Sequence, residues 1–174
     1  MRDVLEKKIA ELKSGRQEAF DYIYEHTHRA VYFSVLKIVR DKMHAEDILQ
    51  ETFLRAVRAL DQYRPGTNFV AWIRQIGRSL AYNHLKKYRR EVTTDFEADA
   101  HRYGTRETEL PYIFDLAAEV LPDDEYEIVM LCQVAGYKRR EAAHMLGLPI
   151  GTVTWKNNRA LAKLRQILEK EDAV

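Results

Sequence analysis

The sequence is poor in the residues that make disulfides and tight turns. Its 174 residues include one cysteine, four prolines and seven glycines. The single thiol, Cys132, excludes an internal disulfide framework and fits a reducing cytosol. Strand-like alternation of apolar and polar residues is hard to find, whereas helical spacing recurs along the whole chain. We therefore predict an all-α fold.

Long hydrophobic runs are also missing. The longest apolar stretch, residues 30–39, is interrupted by Ser34 and Lys37, and the amino-terminal residues hold no apolar signal core. A membrane-spanning helix needs about 20 predominantly apolar residues, and a secretory signal needs an apolar centre behind a basic start. We expect a cytoplasmic protein that does not insert into a membrane.

The chain has little net charge, because its 28 basic residues are matched by 27 acidic ones. A formal charge of +1, taken alone, argues against a nucleic-acid partner. The charge is segregated, however. Residues 62–90 hold seven Lys or Arg and no acid, residues 136–170 hold eight against two acids, and residues 91–109 hold six acids and two Arg. We predict two basic surfaces separated by an acidic strip, as phosphate binding by two modules requires.

The apolar spacing divides the chain into three parts. Residues 1–90 form a predicted amino-terminal module, residues 91–110 lack periodicity and are typical of a flexible acidic linker, and residues 111–174 form a predicted carboxy-terminal module. In the first module, Ser14 and Gln17 match a capping box that opens a helix. Its predicted elements are helices over 19–24 and 31–39, a helix from about His44 to Leu60, a loop over 64–68, and a helix from near Phe69 to the basic cluster 86–90.

Residues 139–164 carry the most informative local motif, two short helical patterns hinged at 147–149. Gly147 can take the positive φ that ends a helix, and Pro149 blocks its continuation. The pattern predicts a helix-turn-helix, which places its second helix in a DNA major groove. An ordinary αα-hairpin is the alternative. The second helix would start near Thr152, and its predicted inward face is Val153, Ala160, Leu161, Leu164 and Leu168.

Longer stretches of both modules resemble a known family. The amino-terminal module contains DKMHAEDILQETFLRAVRAL from Asp41 and FVAWIRQIGRSLAYNHLKKYRR from Phe69, which closely resemble region 2 of bacterial RNA polymerase sigma factors. The carboxy-terminal module contains LPDDEYEIVMLCQVAGYKRREAAHMLGLPIGTVTWKNNRALAKLR from Leu121, which resembles region 4. Because only a linker separates the two regions, the resemblance points to the extracytoplasmic-function (ECF) subfamily of the sigma-70 family.

The resemblance implies a promoter-specificity subunit that performs no chemistry itself. Such a protein binds core RNA polymerase, through the clamp of the largest subunit and the flap of the other large subunit, and directs it to a two-part promoter. It also implies an anti-sigma factor that holds the protein inactive until a signal releases it. The genes served would belong to a stress or envelope response, and the chain free of partners would be a monomer.

The resemblance also assigns the acidic face of the third predicted helix to core polymerase. The residues that match are Asp47, Gln50 and Glu51, with Phe53 supporting them from inside. A solvated helix face is the alternative, since acids on a helix are usually no more than that. Intrahelical pairing does not fully explain these acids, because Arg55 and Arg58 are the only basic residues in the same stretch.

The segment from the predicted loop through the fourth helix would read and open the minus-ten element. Cations are needed for the DNA backbone and aromatic faces for unstacked bases. Burial in the core is the alternative for Phe69 and Trp72. Ser79, Asn83 and Lys86 depart from the asparagine, aspartate and arginine that are usual in the family, which affects the base read rather than the fold. The assigned residues are Arg64, Asn68, Phe69, Trp72, Arg74, Arg78, Ser79, Asn83, Lys86 and Lys87.

The helix-turn-helix would bind the minus-thirty-five element. Thr154 and Trp155 replace the polar pair usual in the family, and Asn157 takes a position that is normally apolar. Trp155 could contact thymine methyl groups or could cover a neighbouring helix, and the sequence leaves both open. The assigned residues are Arg139, Thr152, Thr154, Trp155, Lys156, Arg159 and Lys163.

Two rival classes of function fit less of the sequence. A standalone helix-turn-helix repressor would leave the acidic helix and the aromatic-basic helix without a role. An enzyme would need metal ligands or a nucleophile. Neither an inward Glu-x-x-His pair nor a Gly-rich phosphate loop is present, and His26 and His28 are two residues apart and do not share a helical face. We expect no catalysis, no cofactor and no metal site.

Overall fold

A computed structural model describes residues 2–94 and 112–171, and helices make up most of both ranges. No strand occurs in them, so the predicted all-α fold is confirmed. The predicted linker, 91–110, falls largely outside the described residues, and its first four residues extend the preceding helix. The helices are α1 (Arg2–Lys13), α2 (Ala19–Val39), α3 (Lys42–Arg58), α4 (Phe69–Thr94), α5 (Tyr112–Val120), α6 (Asp123–Val129), α7 (Arg139–Leu146) and α8 (Ile150–Glu171), with a 3-10 turn (Leu60–Gln62) and a π-helical turn (Met130–Val134).

The start of the chain differs from the sequence prediction in two ways. A helix, α1, precedes the predicted capping box, and the Ser14 hydroxyl donates to the Glu11 carbonyl at 2.7 Å instead of opening the next helix. Ser14 therefore belongs to the end of α1. The two predicted helices that follow are one continuous helix, α2, because neither Gly nor Pro interrupts residues 19–39 and Thr27 bonds inward to the Ile23 carbonyl.

Helix α3 begins at Lys42, two residues before the predicted start, because Asp41 caps it. The Asp41 side chain accepts the His44 N–H at 2.8 Å, as an N-cap residue should. Phe53 lies in the core against α2 and α4, as predicted. Val57 has the apolar character of a core residue but is exposed, because the last buried residue of α3 is Ala56.

Helix α4 crosses α2 and α3 and closes the amino-terminal core. Gly77 lies at the crossing, where an added Cβ would come within 3.1 Å of Val35 Cγ2 and 3.2 Å of Thr52 Oγ1. The small residue therefore allows three helices to meet closely. Ile73 and Ala81 are fully buried one turn away on either side. This packing fixes the direction in which the exposed face of α4 presents its basic and polar side chains.

The carboxy-terminal module is a helix-turn-helix supported by α6. Gly147 ends α7 with φ +67°, the left-handed conformation predicted for it. Helix α8 starts at Ile150, because the Pro149 carbonyl already accepts the Val153 N–H at 3.1 Å. Its buried residues include Val153, Ala160 and Leu164. Leu161 was predicted inward but lies at the surface.

The two modules contact each other through α2 and α6. The Lys37 ammonium donates to the Leu121 carbonyl at 2.7 Å, and Arg29 donates to the Ala135 carbonyl at 2.8 Å. In this arrangement α6 brings acids to cations of both modules, so part of each predicted basic surface is neutralised. None of the helices in the described ranges is long and apolar enough to cross a membrane.

Candidate polymerase and nucleic-acid interfaces

The acidic residues assigned to α3 lie on its solvent face. Glu46, Asp47 and Gln50 are exposed, and Glu51 is half-buried. The Glu51 carboxylate accepts a hydrogen bond from Arg55 Nε at 2.6 Å, four residues along the helix. Intrahelical pairing therefore accounts for part of the acidity but leaves Asp47 and Gln50 facing solvent.

Exposed apolar side chains share this face, and the sequence reasoning missed them. Met43 is 61% exposed and Leu54 is 54% exposed, and Val57 continues the same row. The signal was present in the spacing, since these residues fall at helical intervals from Asp47 and Gln50. Contiguous exposed apolar residues rimmed by charge mark interaction surfaces. We call the row Met43, Asp47, Gln50, Leu54 and Val57 the acidic-apolar face.

The loop between the 3-10 turn and α4, residues 63–68, is tightly held. The Tyr63 hydroxyl donates to Glu6 Oε1 at 2.5 Å, and the Thr67 hydroxyl donates to the Arg64 carbonyl at 2.7 Å. Asn68 starts α4, because its side-chain oxygen accepts the Ala71 N–H at 3.1 Å. The Arg64 side chain at the tip of the loop is exposed.

The loop also meets the helix-turn-helix of the other module. The turn glycine, Gly147, lies against Asn68, and a Cβ added to Gly147 would overlap the Asn68 side-chain nitrogen. A cavity of about 270 Å³ opens beside this contact, between α1, the loop and α7. The candidate reading elements of both modules are therefore adjacent in this structure.

The sequence left core burial as an alternative to base contact for Phe69 and Trp72, and the structure shows burial for one of them. Phe69 is 4% exposed and packs edge-on against Tyr63 with 5.1 Å between the ring centroids. Its assignment as a base contact is therefore corrected, because its ring belongs to the core. Trp72 is half-buried, 5.5 Å from both rings, and keeps one edge in solvent. Further along α4, Ser79, Asn83, Lys86 and Lys87 are exposed, as an interface requires.

Two arginines assigned to the minus-ten element are paired with acids of α6. Arg74 forms an ion pair with Glu127, and Arg78 donates to Asp123 at 2.7 Å. Burial lowers the pKa of Arg74 to about 10, with the nearby Arg78 charge adding to the effect, so the guanidinium stays charged at neutral pH. The hydrogen bond from Lys37 and then that from Arg78 hold the pKa of Asp123 below its ordinary value.

The cations assigned to α8 are paired within their own module. Arg159 pairs with Glu125, a carboxylate only 2% exposed, and Lys156 pairs with Asp124. Burial alone would raise the pKa of Asp124, but the hydrogen bond and charge of Lys156 outweigh it and lower the pKa. Lys163 donates to the Val120 carbonyl at 2.6 Å. These three cations bind α8 to α5 and α6.

The remaining residues assigned to the helix-turn-helix are better placed to meet DNA. Trp155 is 56% exposed and stacks on Arg159 of its own helix, 4.3 Å from the ring centroid, rather than on a neighbouring helix. Arg139 is exposed and donates to Asn158 at 3.2 Å. Thr152 and Thr154 are half-buried. The exposed Lys138 and Arg140, which flank Arg139, were missed by the sequence reasoning.

Asn157 is a buried polar residue of α8. It is fully buried in the position that the resemblance marks as apolar. Its side-chain oxygen accepts a long hydrogen bond from Gln133 at 3.5 Å, and its side-chain nitrogen has no partner within the described ranges. A buried amide with an unmade hydrogen bond destabilises a fold.

The residues considered as metal ligands are engaged elsewhere. The Nδ1 atoms of His26 and His28 lie 2.8 and 2.9 Å from the carbonyls of Tyr22 and Tyr24, one turn earlier in α2. Across residues 2–94 and 112–171 no group of three or more His, Cys, Asp or Glu side chains could hold a metal ion.

These features define a class, an all-helical protein with a helix-turn-helix module packed on a module that has a basic, aromatic helix. Comparison with protein families gives the particular family. The model described as "Sigma-70 region 2" matches residues 23–91, and that described as "Sigma-70, region 4" matches residues 117–166. The chain belongs to the sigma-70 family of RNA polymerase sigma factors, within its ECF subfamily, whose members direct core polymerase to promoters.

Relatives agree over most of the chain. The ECF RNA polymerase sigma factor EcfG of Rhodopseudomonas palustris is 32% identical over 133 residues, 74% of each chain. The RNA polymerase sigma factor CarQ of Myxococcus xanthus is 28% identical over 162 residues, 90% of this chain and 92% of its own. Among solved structures, the sigma factor RpoE of Bartonella quintana, crystallised with the anti-sigma factor NepR, is 25% identical, with a TM-score of 0.50 over 86% of this chain and 96% of its own.

Proposed function

We propose that the two modules divide the work of this sigma factor. The acidic-apolar face of α3 binds the clamp of the largest polymerase subunit, and the segment from Arg64 to Lys87 reads and opens the minus-ten element. The helix-turn-helix binds the minus-thirty-five element beside the flap of the other large subunit. The acidic-apolar face carries the proposal, because it combines exposed apolar side chains with Asp47 on the solvent side of α3.

The core-binding test reverses two charges on α3. Asp47→Lys combined with Glu51→Lys should abolish formation of holoenzyme, because it reverses the charge of the acidic-apolar face at Asp47 and of the neighbouring Glu51, which pairs with Arg55. The matched control is Asp21→Lys with Glu25→Lys, two exposed acids one turn apart on α2. Helix content should be unchanged in both. Holoenzyme formation at wild-type affinity by the α3 variant would remove the assignment.

For the upstream element, the structure supports some residues more than others. Arg139 and Trp155 are exposed and Thr152 and Thr154 are half-buried, which supports direct contact for the first two most. Arg159 is half exposed beside Trp155 and remains a candidate for phosphate contact. Lys156 and Lys163 are fixed by partners in their own module, so their contribution to DNA binding is the weakest of the set.

We also propose regulation by an anti-sigma factor, in the cytoplasm where RNA polymerase acts, for genes of a stress or envelope response. The structural similarity to a sigma factor crystallised with its anti-sigma factor supports this proposal. The partner would capture the chain as a monomer. Co-purification from the native cell, followed by size analysis of the complex, would test it. A chain that purifies only with core polymerase under inducing and non-inducing conditions would oppose it.

A further inference from the structure

Glu6 on α1 accepts hydrogen bonds from two residues of the loop 63–68. Its Oε1 accepts the Tyr63 hydroxyl at 2.5 Å, and its Oε2 accepts the Gly66 N–H at 3.3 Å. Lys13, two turns further along α1, donates to the Tyr63 carbonyl at 3.0 Å. One helix, 50 to 60 residues away in the sequence, therefore fixes both the side chain and the backbone of this loop.

The geometry of the loop depends on these bonds. Tyr63 is buried, so its hydroxyl needs an acceptor, and a carboxylate is the strongest one available. Gly66 has φ +80°, and its N–H is turned towards α1 rather than towards solvent. Because Glu6 accepts from both donors on the inner side, the Arg64 side chain at the tip stays exposed, while Asn68 is half-buried and caps α4.

We propose that Glu6 is a positioning residue for reading the minus-ten element. It holds the loop in the shape in which the exposed Arg64 side chain meets an unstacked base beside the capped start of α4. The inference rests on the proposed role of this loop in promoter reading. A loop that is free to move would still attract DNA by charge but would discriminate poorly between bases, because specificity requires donors and acceptors fixed in place.

The test compares base discrimination rather than activity alone. Glu6→Ala should reduce, by about tenfold, the ratio of open-complex formation on premelted templates with the preferred and a substituted minus-ten base, in line with loss of a hydrogen bond to a charged group. Tyr63→Phe should reduce the ratio in the same direction. Glu6→Gln should have a smaller effect, since its amide oxygen can still accept from Tyr63. The matched control is Glu11→Gln, another acid of α1, which pairs with Lys8 at 2.9 Å.

Outcomes separate this inference from the proposed function. Equal loss on all templates by Glu6→Ala, or an unchanged ratio, would overturn the positioning role. An unchanged ratio in Arg64→Ala and Asn68→Ala would instead show that the loop does not read the base. Core binding and melting temperature, measured for every variant, identify a chain that has merely lost stability. If Glu6→Ala is such a chain, the base-discrimination ratio of Glu6→Gln tests the positioning role instead.

A second observation, independent of Glu6, concerns the contact between the modules. Helix α6 of the carboxy-terminal module places Asp123 and Glu127 on Arg78 and Arg74 of α4. Lys37 of α2 also donates to Asp123, at 2.8 Å, and lies 5.4 Å from the ring centroid of Tyr126. Cations assigned to the minus-ten element are thus neutralised by acids from the module that carries the helix-turn-helix.

The pair at the centre of this contact is incompletely satisfied. Arg74 Nε and Glu127 Oε1 are buried and have no hydrogen-bond partner among the described side chains and backbone. A buried ion pair contributes little net stability, because desolvation offsets the attraction. Water or a phosphate that reached Arg74 would satisfy it better. The contact is therefore easily exchanged for DNA once the modules part.

We infer that α6 is a self-inhibitory latch. In the free chain it occupies the guanidinium groups that single-stranded promoter DNA would take, and separation of the modules releases them. An arginine engaged by a buried carboxylate cannot at the same time bind a phosphate in the same place, so closure and downstream DNA binding exclude each other.

The latch is tested on the full chain with a fluorophore pair, one in each module. Asp123→Asn with Glu127→Gln should lengthen the distance between modules and tighten binding of a short oligothymidine by about tenfold, because the competent state is then the populated one. The charge swap Arg74→Glu with Glu127→Arg should restore the short distance. Glu119→Gln, an exposed acid of α5, is the matched control.

Two results would overturn the latch. One is an unchanged distance in both the double variant and Asp123→Asn alone, with each module folded as judged by its own melting transition. The other is a longer distance without tighter oligothymidine binding, which would mean that the contact holds the modules together without masking anything.

Discussion

The two modules use their DNA-facing cations differently. On α4, Arg74 and Arg78 are paired with acids that belong to the other module. On α8, Lys156 and Arg159 are paired with acids of the same module. One helix, α6, supplies the partners in both cases. Cations of α4 can therefore be freed by rigid-body separation, whereas those of α8 can be freed only by local rearrangement inside the module.

This contrast changes which basic residues are candidates for the DNA interface. Formal charge along the sequence treats all four cations alike, but the partners of each decide its role. Arg159 is committed to a carboxylate that no solvent reaches, so its first contribution is to the fold. Arg74 and Arg78 have partners in the other module, so the proposed separation of the modules would free both for DNA.

The largest expected effect tests the difference in stability. Arg159→Met leaves the buried Glu125 without its cation and should lower the free energy of unfolding of the carboxy-terminal module by about 3 kcal/mol, the low end for a broken buried pair because half of Arg159 is exposed. Arg74→Met should lower the free energy of unfolding of the carboxy-terminal module far less, since Glu127 regains water when the modules part. Chemical denaturation followed by a probe in each module measures both. Equal losses would erase the contrast.

The next effect concerns strand opening by the amino-terminal module. Trp72→Ala and Arg78→Ala should each slow open-complex formation on duplex promoters by roughly tenfold, because an aromatic face contributes about 1 to 3 kcal/mol per stacked base and the arginine holds the backbone. Templates already mismatched across the start region should be nearly unaffected. Trp155→Ala, in the other module, should not slow open-complex formation on either template once the promoter is bound. Similar slowing on duplex and mismatched templates would reduce α4 to general backbone binding.

A smaller effect is expected at the helix-turn-helix. Arg139→Ala should lower the salt dependence of upstream binding by about 0.9 in the logarithmic slope, the value for one lost phosphate contact. Arg165→Ala, an exposed cation near the far end of α8, should leave the slope unchanged. Titrations at several salt concentrations on a fragment with only the upstream element give the slopes. If the two variants behave alike, α7 does not provide the phosphate contact.

The smallest expected effect is a gain in the stability of the carboxy-terminal module. Asn157→Leu replaces a buried amide whose nitrogen lacks a partner with an apolar group of similar size, and should stabilise the carboxy-terminal module by about 1 kcal/mol. Asn158→Leu, its exposed neighbour, should change stability little. Thermal unfolding of the two variants provides the comparison. A loss of stability in Asn157→Leu would mean that the Gln133 hydrogen bond matters more than the unmade one.

Local signals predicted the elements that carry function. Apolar spacing predicted α3 and α4, and Gly147 with Pro149 predicted the hinge of the helix-turn-helix, while the cap at Asp41 put the start of α3 two residues before the prediction. The Ser14 and Gln17 pattern misled, because Ser14 bonds back into α1, a helix whose own apolar spacing at Leu5, Ile9 and Leu12 was the better signal.

The arrangement of the modules was not predictable in this way. Each cross-module pair joins residues 45 to 106 positions apart, and no periodicity links a cation in α4 to an acid in α6. The sequence shows that Arg74 and Glu127 are charged. Only the packing shows that one neutralises the other, and that Phe69 is inside while Trp72 keeps an edge outside.

With the proposed division of labour, the contact of Gly147 with Asn68 would couple the two halves of promoter recognition. The turn of the helix-turn-helix and the loop before α4 lie against each other, and binding of two separate DNA elements would require them to part. Whichever element binds first bears the free energy of parting, and the other then binds to a chain that is already open and therefore binds more tightly. A promoter with only one good element would be penalised, although no residue contacts both elements at once.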